Sequence, residues 1–246
     1  MTAPFMPKQA VAFDGALLKE LQRDVSDAIA RDLLKDLPPL TSFSVIHDNG
    51  CGYGAVTMAV MESDPPRGIR INATEINPTF LAQLQAKLAE NPEWPNDVAA
   101  PSHIHRTLKP GGTGVIAGWQ DMPWHIALEN AHHKTRGADE SMAPFLSKGC
   151  YKKEKLMQVT TDAGWKDVQF VEKAAWLNLG RDLTCWARLA WIFLATHLGG
   201  WQQRDEDKWD EAIDGIVQEL EQCEWHKVED GVHKIRMVAV VAKGLK

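Results

Sequence analysis

The stretch Phe43-Ser44-Val45-Ile46-His47-Asp48-Asn49-Gly50-Cys51-Gly52-Tyr53-Gly54 decides the fold. Phe43 to His47 is a short apolar run, three glycines follow at alternate positions, and Ala55 to Ser63 reads as a helix that Pro65 and Pro66 must end. The order is strand, tight turn, helix. At such a junction the backbone bends sharply and leaves room for a ligand, which Gly50, Gly52 and Gly54 permit because they lack a Cβ. The N–H groups of the turn, that of Cys51 among them, then face the ligand. Gly50, Gly52 and Ala55 also fit the G-x-G-x-x-G/A dinucleotide fingerprint, so the glycines alone leave the ligand open. Asp48 at the head of the loop suits a cationic amine better than a phosphate; it could equally cap the helix behind the loop.

Working outward, Ile69 to Thr74 is a second extended segment that runs into Glu75. Asn77 and Pro78 then stand at N-cap and N1 of a helix carrying Phe80, Leu81, Leu84 and Leu88. Glu75 lies twenty-one residues after Gly54, where a carboxylate can accept from both hydroxyls of a ribose. Strand, helix, strand, helix argues a parallel α/β sheet. Before the loop, Leu17, Leu18, Leu21, Val25, Ile29, Leu33 and Leu34 predict one amphipathic helix from about Asp14 to Asp36, stopped by Pro38 and Pro39. After it, Leu108 to Gly112 (LKPGG) is a turn and Thr113 to Trp119 a strand buried on both faces. Trp165 to Lys173 and Ile235 to Leu245 are further strands. Between them lie an apolar helix from about Asp182 to Leu198 and a charged one from about Asp205 to Cys223, an insertion suited to a substrate cap. The expected organisation is a single domain over 1–246, with a helical lid at 1–40, a sheet core at 41–173 and 235–246, and the cap at 174–234.

With 246 residues, 44% of them hydrophobic, the chain can bury a real core. A net charge of −6 offers nothing to a nucleic-acid backbone or an anionic membrane. No run is long and apolar enough to span a bilayer, and the N-terminus lacks a basic segment followed by an apolar one. The four cysteines, Cys51, Cys150, Cys185 and Cys223, form no C-x-x-C pair, so a reducing, cytoplasmic setting is expected, with no zinc knuckle.

Asp48, Gly50, Gly52 and Gly54 match in full the D/E-x-G-x-G-x-G first motif of the class I S-adenosylmethionine-dependent methyltransferases, which this chain resembles. Glu75 matches that family's ribose-binding acid, with Ile76 beside it, LKPGG matches the turn before its fifth strand, and the closing strands match its antiparallel sixth and seventh. More narrowly, VIHDNGCGYG, HIHRTLKPGGTGVIAGW, Pro123-Trp124 and Thr135 to Gly137 resemble fungal small-molecule methyltransferases of secondary metabolism. The resemblance implies a Rossmann-like sheet, S-adenosylmethionine as cofactor, and methyl transfer to oxygen, nitrogen or sulfur of a small organic acceptor. A nicotinamide-dependent oxidoreductase could use the same glycines, but Asp48 and the Leu108 to Gly112 turn weigh against it.

One segment departs from the family. Between Glu90 and Lys109 the chain is too short for the third and fourth strands with their crossovers, and the junction falls near Ala100-Pro101. A shortened sheet follows, in which the fifth strand is expected to shift beside the first. A catalytically silent methyltransferase-like protein, acting as a binding partner or as a pocket without methyl donation, is the alternative reading. Methyl transfer needs proximity and orientation, and a general base only where the acceptor must lose a proton. His125 is the candidate base, against a purely structural role. His132 and His133 are adjacent, not i and i+4, and His103 and His105 lie two apart, so no metal site is expected. Among ten tryptophans, Trp119 and Trp124 after the fifth strand, with Trp176, Trp186, Trp191 and Trp201, suit either an aromatic acceptor pocket or core packing. Phe13 could close over the site as part of the lid.

Overall fold

The computed structural model describes residues 9, 15–91, 108–143, 146, 153–196 and 200–245. Its connectivity begins as the glycine stretch dictates. Strand β1 (Val45–Asn49) pairs in parallel with β2 (Arg70–Thr74), from Val45 against Arg70 to Asn49 against Thr74. Parallel neighbours need a crossover, and helix α3 (Ala55–Glu62) supplies it. Val60 and Met61 of α3 pack with Ile69 and Ile71, with Leu34, Leu40, Ile46 and Val56 around them. Helix α4 (Pro78–Ala89) starts as expected: Asn77 Oδ1 accepts from the Thr79 N–H at 3.0 Å, with Pro78 at N1.

The remaining elements are β3 (Thr113–Asp121), α5 (Pro123–Arg136), α6 (Lys153–Asp162), β4 (Lys166–Gly180), α7 (Leu183–Leu194), α8 (Gln203–Asp207), α9 (Trp209–Gln222), β5 (His226–Glu229) and β6 (Val232–Leu245). β6 lies between β3 and β4, and β5 pairs with it antiparallel. That hairpin closes through Asp230 and Gly231, both at positive φ, the backbone a two-residue turn between twisted strands requires. The parallel β1–α3–β2 unit, the antiparallel strands towards the C-terminal end and the helical insertions make a Rossmann-like α/β arrangement, whose described strands form two separate sheets.

Four expectations are corrected. The helix predicted over 14–36 is two, α1 (Gly15–Gln22) and α2 (Val25–Leu34), broken where Arg23 takes a φ of 50°. Each half has its own partner: α1 packs on α7, where Trp186 Nε1 donates to the Leu21 carbonyl at 3.4 Å, and α2 packs on α3. The charged helix near the end likewise breaks at Lys208 into α8 and α9. β3 is half-buried along its length, not sealed on both faces, and the expected shift of this strand beside β1 does not occur. Among the described residues β1 pairs with β2, while β3 finds its partner in β6. The shortened segment around Ala100-Pro101 lies outside the described residues.

By its internal contacts the chain divides into two compact units. One comprises Met1–Arg23, Trp119–Lys155 and Ala174–Ala239; its core includes Leu128, Trp186, Trp191, Ile213, Ile216 and Leu220. The other comprises Asp24–Gly118, Leu156–Lys173 and Val240–Lys246, and holds β1, β2 and the glycine loop. In it Lys173 binds Asp32 at 3.0 Å and Asp36 at 2.6 Å, and these bonds raise the Lys173 pKa while holding the Asp32 carboxyl below its ordinary value. Among the described residues no helix is long and apolar enough to cross a membrane.

Candidate functional site

The turn between β1 and α3 is held from the tip of β2. The Thr74 carbonyl accepts from Gly50 N–H at 2.7 Å and Cys51 N–H at 2.9 Å, so the chain leaves β1 bent across its neighbour. The Thr74 hydroxyl donates to Asn49 Oδ1 at 2.9 Å. Gly50, Gly52 and Gly54 have φ of 69°, 53° and 87°, the left-handed region that favours glycine. They differ in surroundings. A Cβ added at Gly50 or Gly52 would meet nothing within 4 Å, whereas one at Gly54 would collide with Leu84 of α4. The first two glycines therefore leave the outer face of the loop open, and the third lets α4 approach.

Both predicted acids bind the loop and its helix. Asp48 is 8% exposed, and its Oδ2 accepts from the Thr57 N–H at 3.1 Å and the Thr57 hydroxyl at 2.7 Å. Gly54, the N-cap of α3, has no side chain to satisfy that amide, and Asp48 does so from the preceding strand. Burial pushes the Asp48 carboxyl above its ordinary pKa, against the bonds from Thr57. Glu75 Oε2 accepts from the Gly52 N–H at 2.9 Å and Oε1 from the Asn77 N–H at 2.8 Å. It ties the loop to the start of α4. An ionised carboxylate offers about four lone-pair sites, so two amides leave about two for a diol. Ile76 next to it is 99% exposed.

Cys51 packs with Ala73, Leu84 and Leu88, and its thiol is pushed up to about 12, first by burial and then by the negative charges of Asp48 and Glu75. It contributes backbone to the site. Tyr53 stacks at a tilt on Phe80, centroids 4.7 Å apart, and its carbonyl accepts from Lys87 Nζ at 3.1 Å. Thr57 and Thr74 were not singled out from sequence. The signal for Thr57 was present: it stands three residues after Gly54, at the N3 position whose amide a cap must reach.

His125, Trp119, Trp124, Trp176, Trp186, Trp191 and Trp201 belong to the other compact unit. His125, in the first turn of α5, is 5% exposed with Nδ1 4.0 Å from Glu129 Oε2. It borders a cleft of about 620 Å³ with Asp121, Met122, Ile126, Glu219 and Trp225. Trp124 is 9% exposed, edge-on to Trp186 with centroids 6.5 Å apart, and Trp191 and Trp201 are also buried. These four are core residues. Trp119 is half-buried on β3, and Trp176 carries Lys227 Nζ 4.3 Å from its ring centroid. Phe13, His103, His105 and Cys150 lie outside the described residues. Among the described residues no group of three or more His, Cys, Asp or Glu could hold a metal ion.

No family model matches the chain. Ribosomal RNA large subunit methyltransferase G of Colwellia psychrerythraea is 25% identical in an alignment 143 positions long, which covers 44% of this chain and 36% of that protein. The chain thus spans about a third of the length of this curated relative. Among solved structures, a Bacillus halodurans protein designated a methyltransferase aligns at a TM-score of 0.48 and 13% identity over 88% of this chain and 98% of that one. Phosphoethanolamine N-methyltransferase 2 of Haemonchus contortus, solved with phosphomonomethylethanolamine and S-adenosylhomocysteine, aligns at 0.45 and 13% identity over 94% and 57%.

Proposed function

We propose that this protein transfers a methyl group from S-adenosylmethionine to oxygen, nitrogen or sulfur of a small organic acceptor, as the fungal natural-product methyltransferases it resembles do. The observation that carries this reading is the Glu75 bond to Gly52. An acid at the tip of β2 reaches the open face of the β1 glycine loop and keeps lone pairs free there. A phosphate would be repelled by that carboxylate, while a ribose diol donates to it. Ile76, exposed beside Glu75, offers an apolar surface to a purine ring. Asp48 serves as a positioning residue that fixes the start of α3, and Gly50 to Gly54 let a nucleoside approach the backbone. When bound, S-adenosylmethionine supplies an electrophilic methyl on a positively charged sulfur. A base is needed only where a hydroxyl acceptor must lose a proton, and the sequence alone proposes His125 for that role.

The ribosomal RNA methyltransferase relative suggests a nucleic-acid acceptor instead. The net charge of −6 argues against it, since RNA capture draws on neutralised phosphates. The test is transfer of labelled methyl from S-adenosylmethionine to a panel of phenols, amines and thiols, beside structured ribosomal RNA. Label appearing in a small acceptor, and lost with Glu75→Ala, supports the proposal. Label appearing only in RNA overturns the acceptor class. No transfer together with no cofactor binding favours the catalytically silent reading.

A further inference from the structure

Among the described residues, four buried donors on α5, α7 and α8 have no acceptor. Arg136 ends α5 with its side chain fully sealed from solvent. Its Nε donates to Asp205 Oδ1 at 2.7 Å and its Nη1 to the Ala195 carbonyl, with His132 Nδ1 3.4 Å away, but Nη2 has no partner. Arg204 donates from Nη1 to Glu140 Oε2 at 2.9 Å, while its Nε and Nη2 are buried and unpaired. Trp191, 1% exposed, lies with its ring centroid 4.4 Å from the Arg136 guanidinium carbon, and its Nε1 is also unpaired. Trp201 flanks the same guanidinium at 5.7 Å. The neighbouring acceptors are already engaged. Asp205 Oδ2 takes the Gln202 N–H at 2.8 Å to start α8, and the Glu140 carbonyl lies 3.2 Å from His132 Nε2.

Native interiors pair nearly all such donors, and a buried set of N–H groups from two guanidiniums and an indole lacks one thing, an acceptor-only group with several lone pairs. Burial, and the Arg204 charge against Asp205 and Glu140, set the field: Arg136 is pulled below its ordinary pKa chiefly by desolvation, with Asp205 opposing. An added anion would favour the charged guanidinium. Arg204 keeps about a third of its side chain in solvent, so the cluster reaches the surface on that side.

We propose that Arg136, Arg204 and the Trp191 indole N–H form a binding site for a small oxyanion, the carboxylate or phosphate of an organic metabolite. Guanidinium forks match the planar spacing of such oxygens. Binding here requires no methyl donor, so the site stands or falls apart from the function proposed above.

The test is calorimetric titration of the full chain with sodium benzoate and with sodium phosphate, ionic strength held constant with sodium chloride. Either anion should bind saturably where chloride does not; tighter benzoate identifies an organic carboxylate, tighter phosphate a phosphorylated ligand. Arg204→Gln removes a partly exposed group and should weaken binding at least about tenfold with an unchanged thermal midpoint. Trp191→Phe keeps the ring and removes the N–H, and should weaken it about threefold or more. No saturable binding of either anion by the parent, or equal binding by the parent and both variants, overturns the site.

Discussion

At the scale of single residues, Gly50 and Gly54 share a positive φ and differ in what lies beyond them. Alanine at Gly50 meets only the backbone penalty of about 1 kcal/mol, whereas alanine at Gly54 also drives into Leu84 and should cost about 2–4 kcal/mol in a urea titration. Equal losses would mean that α4 does not rely on the missing side chain. Asp48 gives a pH prediction. Burial holds its folded pKa above the ordinary 3.8, so over the intervening range the folded protein keeps a proton that the unfolded chain has lost. Stability therefore falls as pH rises through that window and levels off above the folded value. Asp48→Asn retains an oxygen for Thr57 and cannot ionise, so its urea midpoint should climb relative to the parent as pH rises above the ordinary carboxylate value, and a constant offset would contradict the assignment. Cys51, neutral until about 12, should resist iodoacetamide in the folded protein while exposed Cys185 is labelled, as peptide mass mapping would read. The glycines and Glu75 were legible in the sequence because their reasons are local, a backbone conformation and a fixed interval. That Asp48 faces inward to Thr57 was open, since a carboxylate at a strand end serves a helix cap or a ligand with the same letters.

At the scale of elements, the Asn77 cap that sequence predicts is present, and the helix break that it misses at Arg23 has a tertiary cause. Asn77 accepts from Thr79 and Asp182 from Cys185, at 3.0 and 3.1 Å, so Asn77→Ala and Asp182→Ala should each lose about 1 kcal/mol by urea denaturation. The apolar spacing from Leu17 to Leu34 is continuous across Arg23, and nothing in it marks a boundary. The break arises because α1 and α2 pack on different helices, α7 and α3. A periodic stripe specifies a buried face but not which neighbour buries it. The break at Lys208 has no such cause, since α8, through the Asp205 pair with Arg136, and α9 both pack on α5. Asp205→Ala, which leaves Arg136 buried without its carboxylate, should cost about 3–5 kcal/mol, against under about 1 for Glu62→Ala at the solvated Arg31 pair.

At the scale of the whole molecule, the strand–loop–helix–strand order from β1 to α4 could be read in advance because parallel pairing, crossover and capping leave local marks. The pairing of β3 with β6 could not, since it joins residues more than a hundred positions apart and competing edges carry similar apolar runs. Function hangs on whether this scaffold grips a sulfonium nucleoside through Glu75 and the open glycine face. Calorimetric titration with S-adenosylhomocysteine tests that most directly. The account predicts saturable binding by the parent, weakened at least about tenfold by Glu75→Ala and largely restored by Glu75→Asp. Absence of binding by the parent, or equal affinity in Glu75→Ala, would contradict it.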